Sequence, residues 1–315
     1  MYAGRHERDG WCRGEVEFPK KVVRTLLGHQ HFDLSLKCLG TARRFNRDPF
    51  GLVVHDDGTL TARELDGVQR LLAPTAVVRR AEADAMVLAR LKNYPACARF
   101  REVHPLAMKL FDLALLGEGE IAAIDSDVCF FRPFRRLFTF SDEQTGAVFM
   151  RDFQNAYALR PFDYWPIGDF RMPCRANTGI IHFRRRDYDL DFLEWMLWQH
   201  GPAMTQRMAW WVEQTCWAAL GGRARCRVLD SQQFSVAREV QSRSPMMVGL
   251  HFVGASRHLF DEAYAGLDLN AASELPPVDV RTQATSVANG ITLAARFGWM
   301  VVTNKVRQLL GTVNV

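Results

Sequence analysis

The chain has no C-x-x-C pair and no regular cysteine spacing. Cys12, Cys38, Cys97, Cys129, Cys174, Cys216 and Cys226 are an odd seven, widely scattered. That excludes a disulfide framework and a zinc ribbon and fits a reducing compartment. Long apolar runs are also missing. The most apolar long window, Val287 to Asn304, contains Asn289, Gly290 and Arg296, which argues against a spanning helix. A packed C-terminal helix and a helix lying on a membrane surface both remain open there. Met1 to Lys21 is polar and charged, with no apolar h-region, so no signal peptide is expected. The expected location is the cytoplasm, with peripheral contact at a membrane as the variant. No repeat, low-complexity tract or Gly/Pro linker divides the chain, so one continuous domain with elaborations is expected. Charge of one sign is scarce too. Forty basic against 35 acidic residues leave +5, too weak without a concentrated basic stripe for a nucleic-acid partner. The small surplus suits an anionic small molecule or a phosphate.

What is present is an ordinary globular composition. Of 315 residues, 48% are hydrophobic and 24% charged, enough for a sizeable core and against global disorder. Strand and helix signals alternate. Phe32 to Leu39, Phe50 to His55, Ala76 to Val78 and Gly119 to Ile124 read as strands. Thr61-Ala62-Arg63-Glu64 is a capping box that opens a helix to about Leu72. Glu82 to Leu91 and Pro105 to Leu116 read as helices, the latter with an apolar stripe at Leu106, Leu110, Leu113 and Leu116. This β-α alternation predicts an α/β domain with a largely parallel sheet and helices on both faces. Further on, Arg151 to Ala176 is an aromatic-rich loop. Thr178 to Phe183, Cys226 to Leu229 and Met247 to Phe252 read as strands, and Asp189 to His200 and Met208 to Leu220 as helices. The expected division is an arm over residues 1–31, a catalytic unit over 32–275 and a helical extension over 276–315.

Ligands of such sheets bind outside the carboxyl ends of the strands. Asp125-Ser126-Asp127 lies at one such end. In an extended segment both carboxylates point the same way and could face one divalent cation, since hard cations take oxygen ligands. The plainer reading is a polar turn. His251-Phe252-Val253-Gly254 follows another apolar run, and a histidine there can add an imidazole ligand or serve only in the core. Asn177-Thr178-Gly179 can hydrogen-bond a polyol or simply turn into a strand. Glu213-Gln214 lies in the apolar helix Trp210 to Leu220. The strand-end residues Gly40, Thr41, Asp56 and Asp57 are further candidates. Gly28-His29-Gln30-His31 reads as a polar junction before the first strand, and Arg184-Arg185-Arg186 as a solvated helix start.

The order of these motifs resembles the GT-A fold glycosyltransferases, especially the glycogenin-like, family 8-like retaining branch, over about Phe32 to Phe260. The resemblance implies a single Rossmann-like sheet and a nucleotide-sugar donor, most simply a UDP-sugar. It implies a Mn2+ or Mg2+ ion held by Asp125, Asp127 and His251. It places Ser126 near the donor ribose, Lys109 on the helix before the strand where it touches the donor, and Gly254 and Arg257 at the diphosphate. Thr41, at the end of the segment read as the first strand, falls among the donor-binding residues. Asn177 would lie near the transferred sugar, Gln214 beneath the anomeric carbon, and Glu213 beside it. The acceptor would be a glycan, a lipid-linked sugar or a protein. Three positions depart from the family. The segment Leu39-Gly40-Thr41-Ala42 lacks its usual Asp and Tyr, Arg257 replaces Lys, and His258-Leu259 replaces Pro-Trp.

An inverting reaction would need a base, for which Asp152, Asp163, Asp169 and Glu213 are candidates. A retaining reaction could let the departing phosphate take the proton. The rivals are a nucleotidyltransferase, a non-catalytic nucleotide- or sugar-binding protein of the same fold, and a hydrolase using the same metal pair. The nucleotidyltransferase is disfavoured because Thr41 to Arg47 has no glycine for a phosphate loop.

Overall fold

The computed structural model describes residues 21–159, 171–238 and 244–289, with Ile291, Thr292, Ala295, Trp299 and Val302 beyond them. The first element is β1 (Val22–Leu27), whose burial alternates residue by residue, as a strand with two unlike neighbours on its faces requires. α1 (Phe32–Phe45) comes next, burying Ser35, Cys38, Leu39, Thr41, Ala42 and Phe45 at helical spacing. Phe32 to Leu39 is therefore helix rather than the expected strand, and the stretch expected to be an arm holds the first strand. The cause is local. Phe32, Leu34 and Leu36 alternate with polar residues and are only half-buried. They flank the true buried stripe and imitate a strand over seven residues.

The chain continues through β2 (Gly51–Asp56), α2 (Ala62–Leu72), β3 (Ala76–Val78), α3 (Arg80–Arg90), α4 (Pro95–Val103) and α5 (Ala107–Leu115). The Thr61/Glu64 capping box forms as expected, each side chain bonding the other's backbone. Next come β4 (Ile121–Ile124), β5 (Val128–Phe130), β6 (Phe134–Arg135), β7 (Ala147–Arg151), β8 (Arg171–Pro173) and β9 (Ala176–Phe183). Then follow α6 (Leu190–Met208), α7 (Val212–Arg223), β10 (Cys226–Leu229), β11 (Phe234–Val236) and β12 (Gly249–His251). Two short helices, α8 (Phe260–Ala265) and α9 (Leu269–Ser273), precede β13 (Val278–Asp279), β14 (Thr282–Ala284) and β15 (Val287–Asn289).

The fold is α/β, as expected. An eight-stranded sheet runs β14-β10-β7-β9-β4-β1-β2-β3. β9 and β14 lie antiparallel to their neighbours, and the remaining pairs are parallel. Both faces are covered, and β4 shows it. Ile121 and Ala123 join a core that includes Val87, Phe100, Leu110, Leu193 and Trp217 from α3 to α7. Ala122 and Ile124 join the opposite core with Phe45 of α1, Val128 and Phe130. A second sheet, β11-β12-β5, stands beside the main one and carries half of the site.

The stretch expected as a helical extension begins with three strands. β13 pairs with β6, β14 forms an edge of the main sheet, and β15 pairs with β8. Pro276-Pro277 bars a helix at that point, and the following Val and Thr residues favour strand. The described residues beyond Asn289, from Ile291 to Val302, are helical. Among the described residues no helix is long and apolar enough to cross a membrane.

Candidate active site

β4 is buried along its whole length and delivers Asp125 at its carboxyl end. The chain then turns, with the Val128 N–H bonding the Asp125 carbonyl at 3.1 Å. The two carboxylates are thus brought together by a turn, not by the alternation of an extended segment. β5 leaves the turn and pairs antiparallel with β12, which sets His251 opposite Val128. The Phe252 N–H closes the ladder on the Asp127 carbonyl at 2.9 Å. The long-range ligand is therefore delivered by strand register.

His251 Nε2 lies 3.0 Å from Asp127 Oδ1 and 3.4 Å from Asp125 Oδ2. One ligand atom from each of the three residues lies within 4.8 Å of the others. Two cations border the group. Lys109 Nζ, on α5, is 2.7 Å from Asp125 Oδ1 and 3.6 Å from Glu213 Oε2. Arg257 Nη2 is 2.8 Å from Asp127 Oδ2. Gly254 begins the turn that carries Arg257, at φ 45°, a conformation that disfavours a side chain.

Asn177, Thr178 and Gly179 enter through an irregularity in the sheet. Phe149 of β7 faces Ile181 of β9, but the next residue, Met150, faces Asn177. The extra β9 residues form a bulge, a device that re-aims side chains at a site. Gly179 must be glycine here, because a Cβ would stand 2.3 Å from His251 Nδ1. Thr178 Oγ1 donates to Glu213 Oε2 at 3.1 Å, and Gln214 Oε1 accepts from the Thr178 N–H at 3.2 Å. Gln214 also donates to the Ala156 carbonyl at 2.9 Å. α7 thus presents Glu213 and Gln214 against the Asn177–Gly179 segment.

The charges respond to this crowding. Burial pushes the Glu213 carboxyl up to about 7, only partly offset by Lys109. Its Oε1 is buried without a hydrogen-bond partner. Burial alone would lower His251, but Asp127 and Asp125 outweigh it and bring the imidazole up to about 9. Burial opposes the Asp127 charge, yet His251 and Arg257 hold that carboxyl well below the usual range. Lys109 stays charged, since Asp125 and Glu213 overcome its desolvation.

The donor set fits a divalent cation. Two carboxylate oxygens and an imidazole nitrogen converge, a mixed oxygen and nitrogen set of the kind that binds divalent cations. The other imidazole nitrogen is held from behind, since His251 Nδ1 lies 2.8 Å from Asn177 Oδ1.

The structure brings together Asp125, Asp127, His251, Lys109, Asn177, Glu213, Gln214, Gly254 and Arg257. Ser126 sits between the two aspartates and accepts a bond from Ser35 at 3.2 Å. Thr41 does not belong with them. It is buried inside α1, where its hydroxyl donates to the Cys38 carbonyl at 2.6 Å and accepts from the Phe130 N–H at 2.9 Å. It fastens β5 to α1 and is not at a strand end, and neither is Gly40.

The true end of β1 is Leu27, so Gly28 to His31 follow the first strand instead of preceding it. There His29 Nδ1 meets Glu64 Oε1 at 2.8 Å. Sequence reasoning missed this strand end because it placed β1 ten residues too late. Asp152, a candidate base, is buried and bonded to Asn177 at 2.9 Å. Asp163 and Asp169 lie outside the described residues, with much of the aromatic loop. The described start of that loop is core, with Tyr157, Ala158 and Leu159 buried. Arg185 is no solvated helix start, since it bonds the Gly119 and Ala114 carbonyls at 2.7 and 2.6 Å.

No protein-family model matches the chain, and no curated protein matches it. Among solved structures it is similar to the galactosyltransferase LgtC in complex with donor and acceptor sugar analogs. That likeness has 11% identity and a TM-score of 0.45, over 81% of this chain and 97% of that one. It is also similar to the glycosyltransferase GlyE of Streptococcus pneumoniae, at 11% identity and a TM-score of 0.46, over 80% of this chain. The match spans 62% of GlyE, less than two thirds of its length. A third similar structure is core-mannan synthase A of Aspergillus fumigatus in its Mn/GDP form, at 9% identity and a TM-score of 0.47, over 78% of this chain and 84% of that one. These are likenesses in the course of the chain and assign no role to any residue here.

Proposed function

We propose that this protein is a metal-dependent glycosyltransferase of the GT-A type. It moves a sugar from a nucleotide-sugar donor, a UDP-sugar, to a glycan, lipid-linked or protein acceptor, with retention. The observation that carries the reading is the convergence of Asp125, Asp127 and His251 within 4.8 Å at the strand ends. Lys109 and Arg257 stand at the rim of that group.

Glycosyl transfer leaves a diphosphate whose growing negative charge must be stabilised. Asp125, Asp127 and His251 would hold Mn2+ or Mg2+, which supplies positive charge at the departing diphosphate. Arg257 adds a planar guanidinium that exchanges Asp127 for a phosphate oxygen. Gly254 lets the backbone approach the diphosphate, with no atom within 4 Å of a Cβ there. Ser126 meets the donor ribose. Asn177 and Gln214 surround the transferred sugar, with Glu213 set behind them on Lys109. A dedicated base is not required in this scheme, because the leaving phosphate takes the acceptor proton. The engagement of Asp152 with Asn177 supports that choice over an inverting reaction. The catalytic unit runs from β1, not from residue 32, through the edge strand β14 and the pairing strand β15, past residue 275. It works in the cytoplasm or at the membrane surface.

The test is thermal melting with UDP, GDP, ADP or CMP, each with Mn2+ or with chelator. Saturating ligand at a hundred times its dissociation constant stabilises by about 2.7 kcal/mol. A UDP shift that needs Mn2+ is the expected result. A shift with GDP alone changes the donor and keeps the chemistry. No Mn2+-dependent shift with any of the four overturns the reading.

A further inference from the structure

Behind His251 runs a buried chain of hydrogen bonds through Asn177 to Asp152. His251 Nδ1 lies 2.8 Å from Asn177 Oδ1. The same oxygen accepts the Gly179 N–H at 2.9 Å. The Asn177 amide nitrogen donates to Asp152 Oδ2 at 2.9 Å, and the other Asp152 oxygen accepts the Gln154 N–H at 3.2 Å. His251, Asn177 and Asp152 are 4%, 3% and 7% exposed, so water does not compete for these bonds.

The chemistry of the two ends settles the middle. A carboxylate only accepts and a backbone N–H only donates. The Asn177 amide can therefore satisfy Asp152 and Gly179 in one orientation alone, nitrogen toward 152 and oxygen toward 179. That oxygen then demands a proton on His251 Nδ1, which leaves Nε2, the atom facing Asp125 and Asp127, as the metal-binding nitrogen. We infer that Asp152 is a positioning residue, fixing through Asn177 the tautomer in which His251 binds the cation. The inference rests on the metal reading proposed above. It gives Asp152 a task other than that of catalytic base.

The sheet explains how the three residues meet. Asp152 follows β7, and its N–H bonds the Arg175 carbonyl at 2.7 Å. The bulge between β7 and β9 sets Asn177 opposite Met150. Asp152 is thereby held on the far side of Asn177 from the histidine.

Asp152→Asn tests the inference with no change of volume. It replaces one acceptor oxygen by a donor, so the donors of Asn177 and Gln154 compete for the oxygen that remains. An Asn177 amide that flips in response presents its nitrogen to His251 Nδ1. That stabilises the Nε2–H tautomer, which cannot bind a metal. The readout is the Mn2+ dissociation constant, from the free-ion electron paramagnetic resonance signal, without nucleotide or turnover. Loss of an outer-shell partner weakens metal binding about 10- to 100-fold, and a rise of that size is expected.

The double variant Asp152→Asn/Asn177→Asp exchanges the two side chains and restores a partner for every group. It should return the dissociation constant to near the wild-type value. A purely structural role would instead lower the melting temperature in chelator and leave Mn2+ affinity unchanged. Wild-type affinity in a folded Asp152→Asn protein overturns the inference alone. If the single variant does not fold, a folded double variant that fails to bind Mn2+ overturns it. Absence of Mn2+ binding by the wild-type protein overturns the metal reading and this inference together.

Discussion

Two charge clusters lie on neighbouring parts of the same α5 helix, and they differ in whether every buried carboxylate oxygen is taken up by the chain. In one, Arg101 of α4, 1% exposed, forks onto both oxygens of Asp112 at 2.5 and 2.7 Å. It reaches Asp84 at 2.8 Å, and Arg80 meets that same carboxylate at 2.6 Å. Two guanidiniums face two carboxylates, and opposite charges are matched within hydrogen-bond range. In the other, begun by Lys109 one turn earlier on α5, Asp125 and Asp127 share the His251 imidazole, while Lys109 pairs with Asp125 and Arg257 with Asp127. Glu213 stands nearby with one oxygen unpartnered. The first cluster is finished by the chain itself and ties three helices together. The second gathers three carboxylates at the strand ends under Lys109, His251 and Arg257, contacts that a bound cation and a phosphate could take over.

That contrast can be broken at either end. The largest effect is expected in the second cluster. Asp127→Ala or His251→Ala should abolish the Mn2+-dependent melting shift with nucleotide and any turnover, while circular dichroism in chelator stays that of the folded protein. Full metal-stimulated turnover in either variant would show that the two clusters do not differ in this way. Next in size, Arg101→Met should leave Asp112 buried without its partner. Removing one member of a buried pair typically costs about 3–5 kcal/mol. Urea denaturation should show that loss, with the Mn2+ dissociation constant of the folded fraction unchanged. A loss below about 1 kcal/mol would mean that Asp112 finds water or another partner.

The smallest of the three effects sharpens the comparison through pH. Glu213 is held at about 7 against an ordinary value of 4.5. The folded protein therefore binds this proton more tightly than the unfolded chain does. The stability it adds is complete below about pH 4.5, declines as the pH rises, and is gone above about 7. The rise corresponds to roughly 3 kcal/mol at most. His55 has the reverse sign. Burial, helped by Arg24, holds it well below 6.5, so its stabilisation is present above pH 6.5 and is lost on acidification. Because His55 opposes Glu213 over part of this range, the readout is the difference between the two chelator-treated proteins: the stability of the wild type relative to Glu213→Gln should fall as the pH rises from 5 to 7. An unchanged slope in the variant would remove Glu213 from the account.

The parts legible in the sequence are those whose cause is local. An apolar strand ending in Asp125-Ser126-Asp127 announces itself, as does the Thr61/Glu64 cap. The tetrapeptide from His251 to Gly254 and the pair Glu213-Gln214 could be placed by their order along the chain. What escaped depends on register or on distant elements. Asp152 meets Asn177 only because a bulge shifts β9 against β7. Arg101 meets Asp112 only because α4 and α5 pack side by side. β1 was misplaced because seven residues of α1 alternate in polarity. The helix is decided at Ala42 and Phe45, whose burial belongs to the packed α1 and not to the local pattern.

The pairing of β5 with β12 has a consequence for the order of assembly. Asp127 and His251 are 124 residues apart, and Arg257 lies further still. A chain emerging from the ribosome folds its N-terminal part first. It therefore carries both aspartates through a further 124 residues before the histidine arrives, and slightly more before the arginine. During that interval the nascent protein has the anionic half of its centre and none of the late counter-charge. Competence for the donor arises only when β12 docks on β5. A chain released early would hold most of the main sheet and be unable to engage a nucleotide diphosphate.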